Sequence, residues 1–277
     1  MISSILLCAR QERILAVRSR WTQIFAVVFA ALSLAVAGSG YVLSGGYGVQ
    51  DFSRTAVSLV QLVLVLVPLT SLLIGVMALV SDPGAAELLF SQPVGRGTIL
   101  LGRILGLFEA LVAAQALGFG AAGLVIFARA GEEGIAGFLL VFLGSVLTTA
   151  VFLGIAALLS AGVTGRRRAR TLALALVAWF GLVVLFDVAA LGLASLLPSG
   201  AASRVLIFGV IVNPVDAVRT GILLGIEGAA AFGAASLAFL RFTRGTLGAG
   251  LALGASLVVW VVVPTILAVV RLRRADV

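Results

Sequence analysis

The chain has 277 residues, 62% of them apolar, with a mean hydropathy of +1.25 and a formal charge of +8. Soluble domains hold roughly 45–50% apolar residues, so a soluble fold is excluded; with alternating strand patterns absent, an all-α polytopic membrane protein is expected. All 19 basic residues are arginine, which removes the lysine of a GxxxxGK[ST] phosphate loop, and Cys8, Met1 and Met77 are too few and scattered to ligate a metal without histidine.

In chain order, residues 1–20 read as an amphipathic interfacial helix. Ile5, Leu6, Ala9, Ile14 and Val17 alternate with Arg10, Arg13, Arg18 and Arg20, whose stems can snorkel to lipid headgroups. These charges do not share one clean face, which points to partial burial against protein. A hydrocarbon core of about 30 Å needs about 20 apolar residues per helical span. Six segments qualify, at residues 21–43, 56–80, 101–128, 135–161, 171–197 and 247–270. Trp21 anchors the first at the interface. Gly131-Glu132-Glu133-Gly134 makes a tight turn between the third and fourth, and Arg166-Arg167-Arg168-Ala169-Arg170 a short basic loop after the fourth.

Residues 81–103 are more elaborate than a connector requires. Ala85, Glu87, Leu88, Leu89 and Phe90 suggest a brief helix, broken at Pro93 and followed by Gly95-Arg96-Gly97 before the third span. A small helix with apolar side chains between two spans is a docking surface for another protein. Six spans with both termini cytoplasmic place 13 arginines inside and six outside, as the positive-inside rule requires. Arginines gathered at span ends report orientation in an inner membrane and not nucleic-acid binding. Residues 222–240 are the weak point of the count. They form a seventh span or, given Glu227 and their many alanines, a re-entrant or outer-surface helix within the outer segment 198–246. The whole chain, 1–277, reads as one membrane domain.

Several polar residues stand out. Asp187 lies about 25 Å beyond Arg170 along its span; it is a substrate or coupling residue near an outer gate, or an interhelical partner of an arginine such as Arg219. Glu109, about 9 Å beyond Arg103, is a solvated or interhelically paired group. Asn213-Pro214-Val215-Asp216 is a helix start: asparagine as N-cap, proline at the first helical position, aspartate in the first turn. Asp216 can then pair with Arg219 at i,i+3, and the new helix either meets an outer partner or caps the membrane domain. Gly102/Gly106, Gly221/Gly225 and Gly250/Gly254 have the spacing of close helix contacts. No paired carboxylates and no nucleophile–base set occur, so neither catalysis nor a cofactor is expected.

These features together resemble the ABC-2 type permeases, the membrane subunits of ABC transporters. The match is carried by Ala9-Arg10-Gln11-Glu12, by Glu87-Leu88-Leu89-Phe90-Ser91, by Pro93-Val94-Gly95-Arg96 and by Ile99-Leu100-Leu101-Gly102-Arg103, where arginine replaces the usual lysine. Ser81-Asp82-Pro83-Gly84 is less acidic than the family pattern, and Gln92 stands where tyrosine is common. Trp179 to Asp187 and Asn213-Pro214 with Asp216 and Arg219 look most like the branch that serves nitrous-oxide-reductase maturation. The resemblance implies two separate ATPase subunits on the cytoplasmic face, contacted through Glu87, Leu88, Leu89, Phe90 and Arg96. It also implies a second permease copy, a homodimer being expected, and a periplasmic copper-handling protein. Three alternatives stay open: an ABC-2 exporter permease for another cargo, a secondary transporter using Asp187 and Glu109, and a non-transporting membrane anchor of an assembly complex.

Overall fold

The computed structural model describes residues 2–42, 48–80, 84, 94–130, 133–228 and 234–275. Among them no strand occurs. The helices are α1 (Ile2–Arg18), α2 (Arg20–Val42), α3 (Gly48–Leu79), α4 (Arg96–Ala130), α5 (Glu133–Ser160), α6 (Arg168–Phe180), α7 (Phe186–Ser195), α8 (Ser199–Val212), α9 (Pro214–Glu227), α10 (Ala234–Phe242) and α11 (Thr246–Arg274). A π-helical turn, Gly181–Leu185, joins α6 to α7 without breaking the span. The six expected spans are all present as helices long and apolar enough to cross a bilayer, Arg20–Ser39, Thr55–Leu79, Arg96–Ala128, Ile135–Ser160, Gly165–Ser195 and Thr246–Arg274.

Helices α3 and α5 form the inner pair, each with 56% of its apolar window buried, whereas α6–α7 has 11%. Helix α2 packs along α4, α6 along α3, and α11 along α5. Large side chains fill the spaces between them. Phe119 of α4 makes edge-to-face contacts with Phe29 at 5.2 Å and with Phe138 and Phe142 at 5.5 Å between ring centroids, a favoured aromatic geometry. Gln115, fully buried in α4, donates to Thr149 Oγ1 at 2.8 Å and accepts from Ser145 Oγ. Both ends of its amide are thereby satisfied where lipid and packed side chains supply no water.

The segment after α7 departs from a plain outer loop. Helices α8 and α9 meet at an elbow of 99°, long and apolar enough together for a broken span or a re-entrant loop. Residues 222–240 are not one continuous helix. Helix α9 ends at Glu227, where Gly228 adopts φ 62° and donates its N–H to Leu224 O. A left-handed residue of this kind terminates helices because glycine has no Cβ to clash. The bent element therefore begins earlier than the hydropathy of 222–240 suggests.

Candidate functional site

Two clusters of charge organise the bundle. In the first, α1 lies directly on the opening turns of α4. A Cβ at Gly102 would stand 2.5 Å from Cys8 Cβ and 2.8 Å from Ile5 O, and one at Gly106 would run into Ala9 O. The two glycines thus let the helix backbones touch, with Ala9 as the small buried residue between them. Glu12, buried within this contact, accepts from Arg103 Nε at 3.0 Å, and Arg103 also donates to Ala78 O at the end of α3. Arg13 reaches Glu109 at 2.9 Å on the more exposed flank. Partial burial against protein is why the arginines of α1 fail to share one face.

The start of α4 has a further tie. Arg96 donates from Nη1 to Ala275 O at 2.7 Å, at the end of α11, and a Cβ on Gly97 would meet Val269 and Arg273 of the same helix. Arg168 donates to Val80 O at 2.8 Å and Arg271 to Leu158 O at 3.3 Å. Arginines from different segments therefore bond carbonyls at the ends of α3, α5 and α11. Those carbonyls have no partner within their own helices and carry the negative ends of the helix dipoles.

The second cluster holds the elbow. Asn213 is extended (φ −86°, ψ 120°), and its Oδ1 accepts from Val215 N–H at 3.1 Å as the N-cap of α9, with Pro214 at the first position. Its Nδ2 donates to Leu182 O at 2.9 Å and to Asp216 Oδ2 at 3.1 Å. The first of these bonds repairs the π turn. Phe186 N–H bonds Gly181 O there, one residue back from its α-helical partner Leu182, and the amide of Asn213 covers that displaced carbonyl. Arg219 Nη1 bridges Asp187 Oδ2 at 2.9 Å and Asp216 Oδ1 at 3.0 Å. Ser256 Oγ and Trp260 Nε1 of α11 donate to Ile211 O at 2.5 Å and Val212 O at 2.8 Å, closing the last carbonyls of α8.

The residues singled out in the sequence fall into these clusters unevenly. Asp187, Asn213, Pro214, Asp216 and Arg219 come together at the elbow, and Asp187 has the arginine partner expected as one of its two readings. Helix α9 buries Val215, Ala217, Val218 and Ile222 and packs against α5, α11 and α3. Glu109 joins the first cluster and Asp187 the second, held by Arg13 and Arg219 respectively. Arg96 is turned inward onto α11. Glu87, Leu88, Leu89 and Phe90 lie outside the described residues. Among the glycine pairs, Gly102/Gly106 makes close contact at both positions; Gly225 alone of its pair is tight, against Leu140, and Gly250 and Gly254 face open space.

Sequence reasoning passed over Arg103 as a hub and Gln115 as a buried network, although a lone glutamine in an apolar run was a visible signal. The π turn left no signal beyond Gly181 within a span. Among the described residues no group of three or more His, Cys, Asp or Glu is placed to hold a metal ion.

Residues 6–277 match the family model described as ABC-2 family transporter protein. The chain is 36% identical over 236 residues to a Pseudomonas aeruginosa protein named probable ABC transporter permease protein NosY, covering 83% of this chain and 85% of that one. A protein of the same name from Stutzerimonas stutzeri is 35% identical over 236 residues with the same coverage.

Proposed function

The chain belongs to the ABC-2 family of transporter permeases, and from that premise we propose that it relays the motion of separate ATPase subunits across an inner membrane, with both termini cytoplasmic. Segment 81–103 receives the ATPases, with Glu87, Leu88, Leu89 and Phe90 as the docking side chains. Two copies of the permease pair, and on the far side they serve a periplasmic copper-handling protein that supplies nitrous-oxide reductase. The likeness to proteins named NosY supports the last step. A chain with one cysteine, two methionines and no histidine suits the relay of motion better than conduction of copper.

The observation that carries this reading is the bracing of α4 where the docking segment runs into it. Arg96 holds the end of α11, Arg103 holds α1 and the end of α3, and Gly102 and Gly106 seat α1 on α4. A push on the docking segment consequently displaces four helices together instead of bending one. Arg96 joins the docking segment to α11. Nucleotide shifts the equilibrium only as far as it binds one arrangement better than the other, and the elbow on α6–α9 is the element whose arrangement answers.

The test is Leu89→Asp and Phe90→Asp in the full complex with its ATPase. Loss of ATPase association and of copper loading into nitrous-oxide reductase is expected. Unchanged association and loading would overturn the docking assignment, and stoichiometric copper on the purified permease alone would overturn the relay.

A further inference from the structure

A cavity of about 510 Å³ opens between the end of α5 and the end of α11, lined by Leu158, Gly162, Leu267, Val270, Arg271 and Arg274 among others. None of the contacts described above fills it. Its walls are divided by chemistry. Leu158, Leu267 and Val270 are apolar, while both guanidiniums stand at the helix end. On α11, Val263, Leu267, Val270, Arg271 and Arg274 recur at helical spacing, so they form one stripe. The apolar members remain exposed, Val263 at 46%, Leu267 at 48% and Val270 at 38%. The stripe therefore continues the cavity into the hydrocarbon region, with charge only at its head.

Arg271 uses one donor on Leu158 O, and Arg274 makes no hydrogen bond among the described residues. An arginine presents five donors in a planar fork suited to phosphate oxygens. Nearby in sequence, the turn at Gly162 leads within a few residues to Arg166 and Arg167, both exposed, so the positive field extends beyond the cavity rim. Helix α11 carries a third arginine in the same turn, but Arg273 faces Gly97 on α4. Two cations converge on the cavity and one points away.

The geometry points to a binding site for an anionic phospholipid, its phosphate held by Arg271 and Arg274 and an acyl chain lying along Val270, Leu267 and Val263. Charge complementarity selects the head and the apolar stripe selects an amphiphile over a free anion. Basic pockets between spans at the positively charged end of a membrane protein take anionic headgroups for the same reasons. The bound lipid bridges α5 to α11 beside Ala275, the residue that Arg96 grips. The inference needs the membrane placement alone and is independent of which ATPase or cargo the permease serves.

The test uses the full-length permease in a nonionic detergent, titrated with short-chain phosphatidylglycerol, phosphatidylcholine or inorganic phosphate and read by native mass spectrometry. Phosphatidylglycerol should be retained, phosphatidylcholine should not, and inorganic phosphate should neither bind nor displace the lipid. R271Q/R274Q should weaken phosphatidylglycerol about 30-fold, while R273Q should leave it unchanged. If the double variant does not fold, R274Q alone carries the test with a loss of about fivefold, since it removes no hydrogen bond within the described residues. Equal retention by the arginine variants, an equal loss in R273Q, or equal binding of phosphatidylcholine would overturn the site. Displacement by inorganic phosphate would assign it to a free anion instead.

Discussion

The clamp between α1 and α4 and the elbow between α8 and α9 both rest on arginine and carboxylate, yet they solve different problems. At the clamp, each carboxylate has its own arginine, Glu12 with Arg103 and Glu109 with Arg13, and the contact underneath is backbone on backbone at Gly102 and Gly106. Shape comes first there and charge secures it. At the elbow one arginine serves two carboxylates, Asp187 and Asp216, and Asn213 mends the π turn across the gap. There polar atoms fix the corner itself, while the buried apolar face of α9 seats its arm in the bundle. The lesson is that the clamp rests on backbone contact that ion pairs secure, whereas the corner of the elbow depends on a few polar bonds.

Breaking the clamp at its backbone contact should have the largest effect. Gly106→Leu drives a side chain into Ala9 O and should cost about 3 kcal/mol, seen as a lower thermal midpoint in detergent and exposure of α1 to protease. If stability is unchanged, α1 does not sit on α4. At the elbow, Arg219→Ala leaves Asp187 and Asp216 facing each other without a cation. Because the triad is partly exposed, about 2 kcal/mol is expected, below the loss for a fully buried pair. Asp187→Asn combined with R219A should recover part of it, and a failure to recover would separate the two residues energetically.

Asn213→Ala removes an N-cap and the donor to Leu182 O, and should cost about 1.5 kcal/mol. Asn213→Ser is the sharper variant, since its hydroxyl oxygen keeps the cap but is too short to reach Leu182 O. Hydrogen exchange at α6–α7 should rise with N213S and the start of α9 should stay protected. The smallest effect belongs to Arg13→Gln, where an exposed pair with Glu109 is worth about 0.5 kcal/mol or less and should vanish in high salt. A larger loss would make the flank of the clamp as important as its glycines.

Much of the fold was legible in apolar run length alone. Spans at 56–80, 135–161 and 247–270 correspond closely to Thr55–Leu79, Ile135–Ser160 and Thr246–Arg274, because a lipid core imposes its thickness on any helix that crosses it. The start of α9 was equally legible, since Asn213, Pro214 and Asp216 act within one turn. Residues 222–240 misled because hydropathy sums over a window and does not register a helix end at Gly228. The Gly102/Gly106 pair could not be told from Gly250/Gly254 in a chain with 33 glycines. Only the approach of α1 separates them. The arginines at span ends were read as orientation signals, and the structure adds that Arg96, Arg103, Arg168 and Arg271 also bond helix-end carbonyls.

Taken alone, the amino-acid sequence determined that this protein is a helical membrane permease without a phosphate loop or a soft-metal ligand set. Those conclusions depend on composition, span length and motifs contained in single segments, which need no partner in space. Tertiary structure decided which arginine met which carboxylate or carbonyl, where the seventh apolar stretch bent, and which glycines bore a neighbouring helix. Each of those depends on residues up to 179 positions apart, as Arg96 and Ala275 are. Such pairings are set by how helices pack, and local propensity carries no record of them.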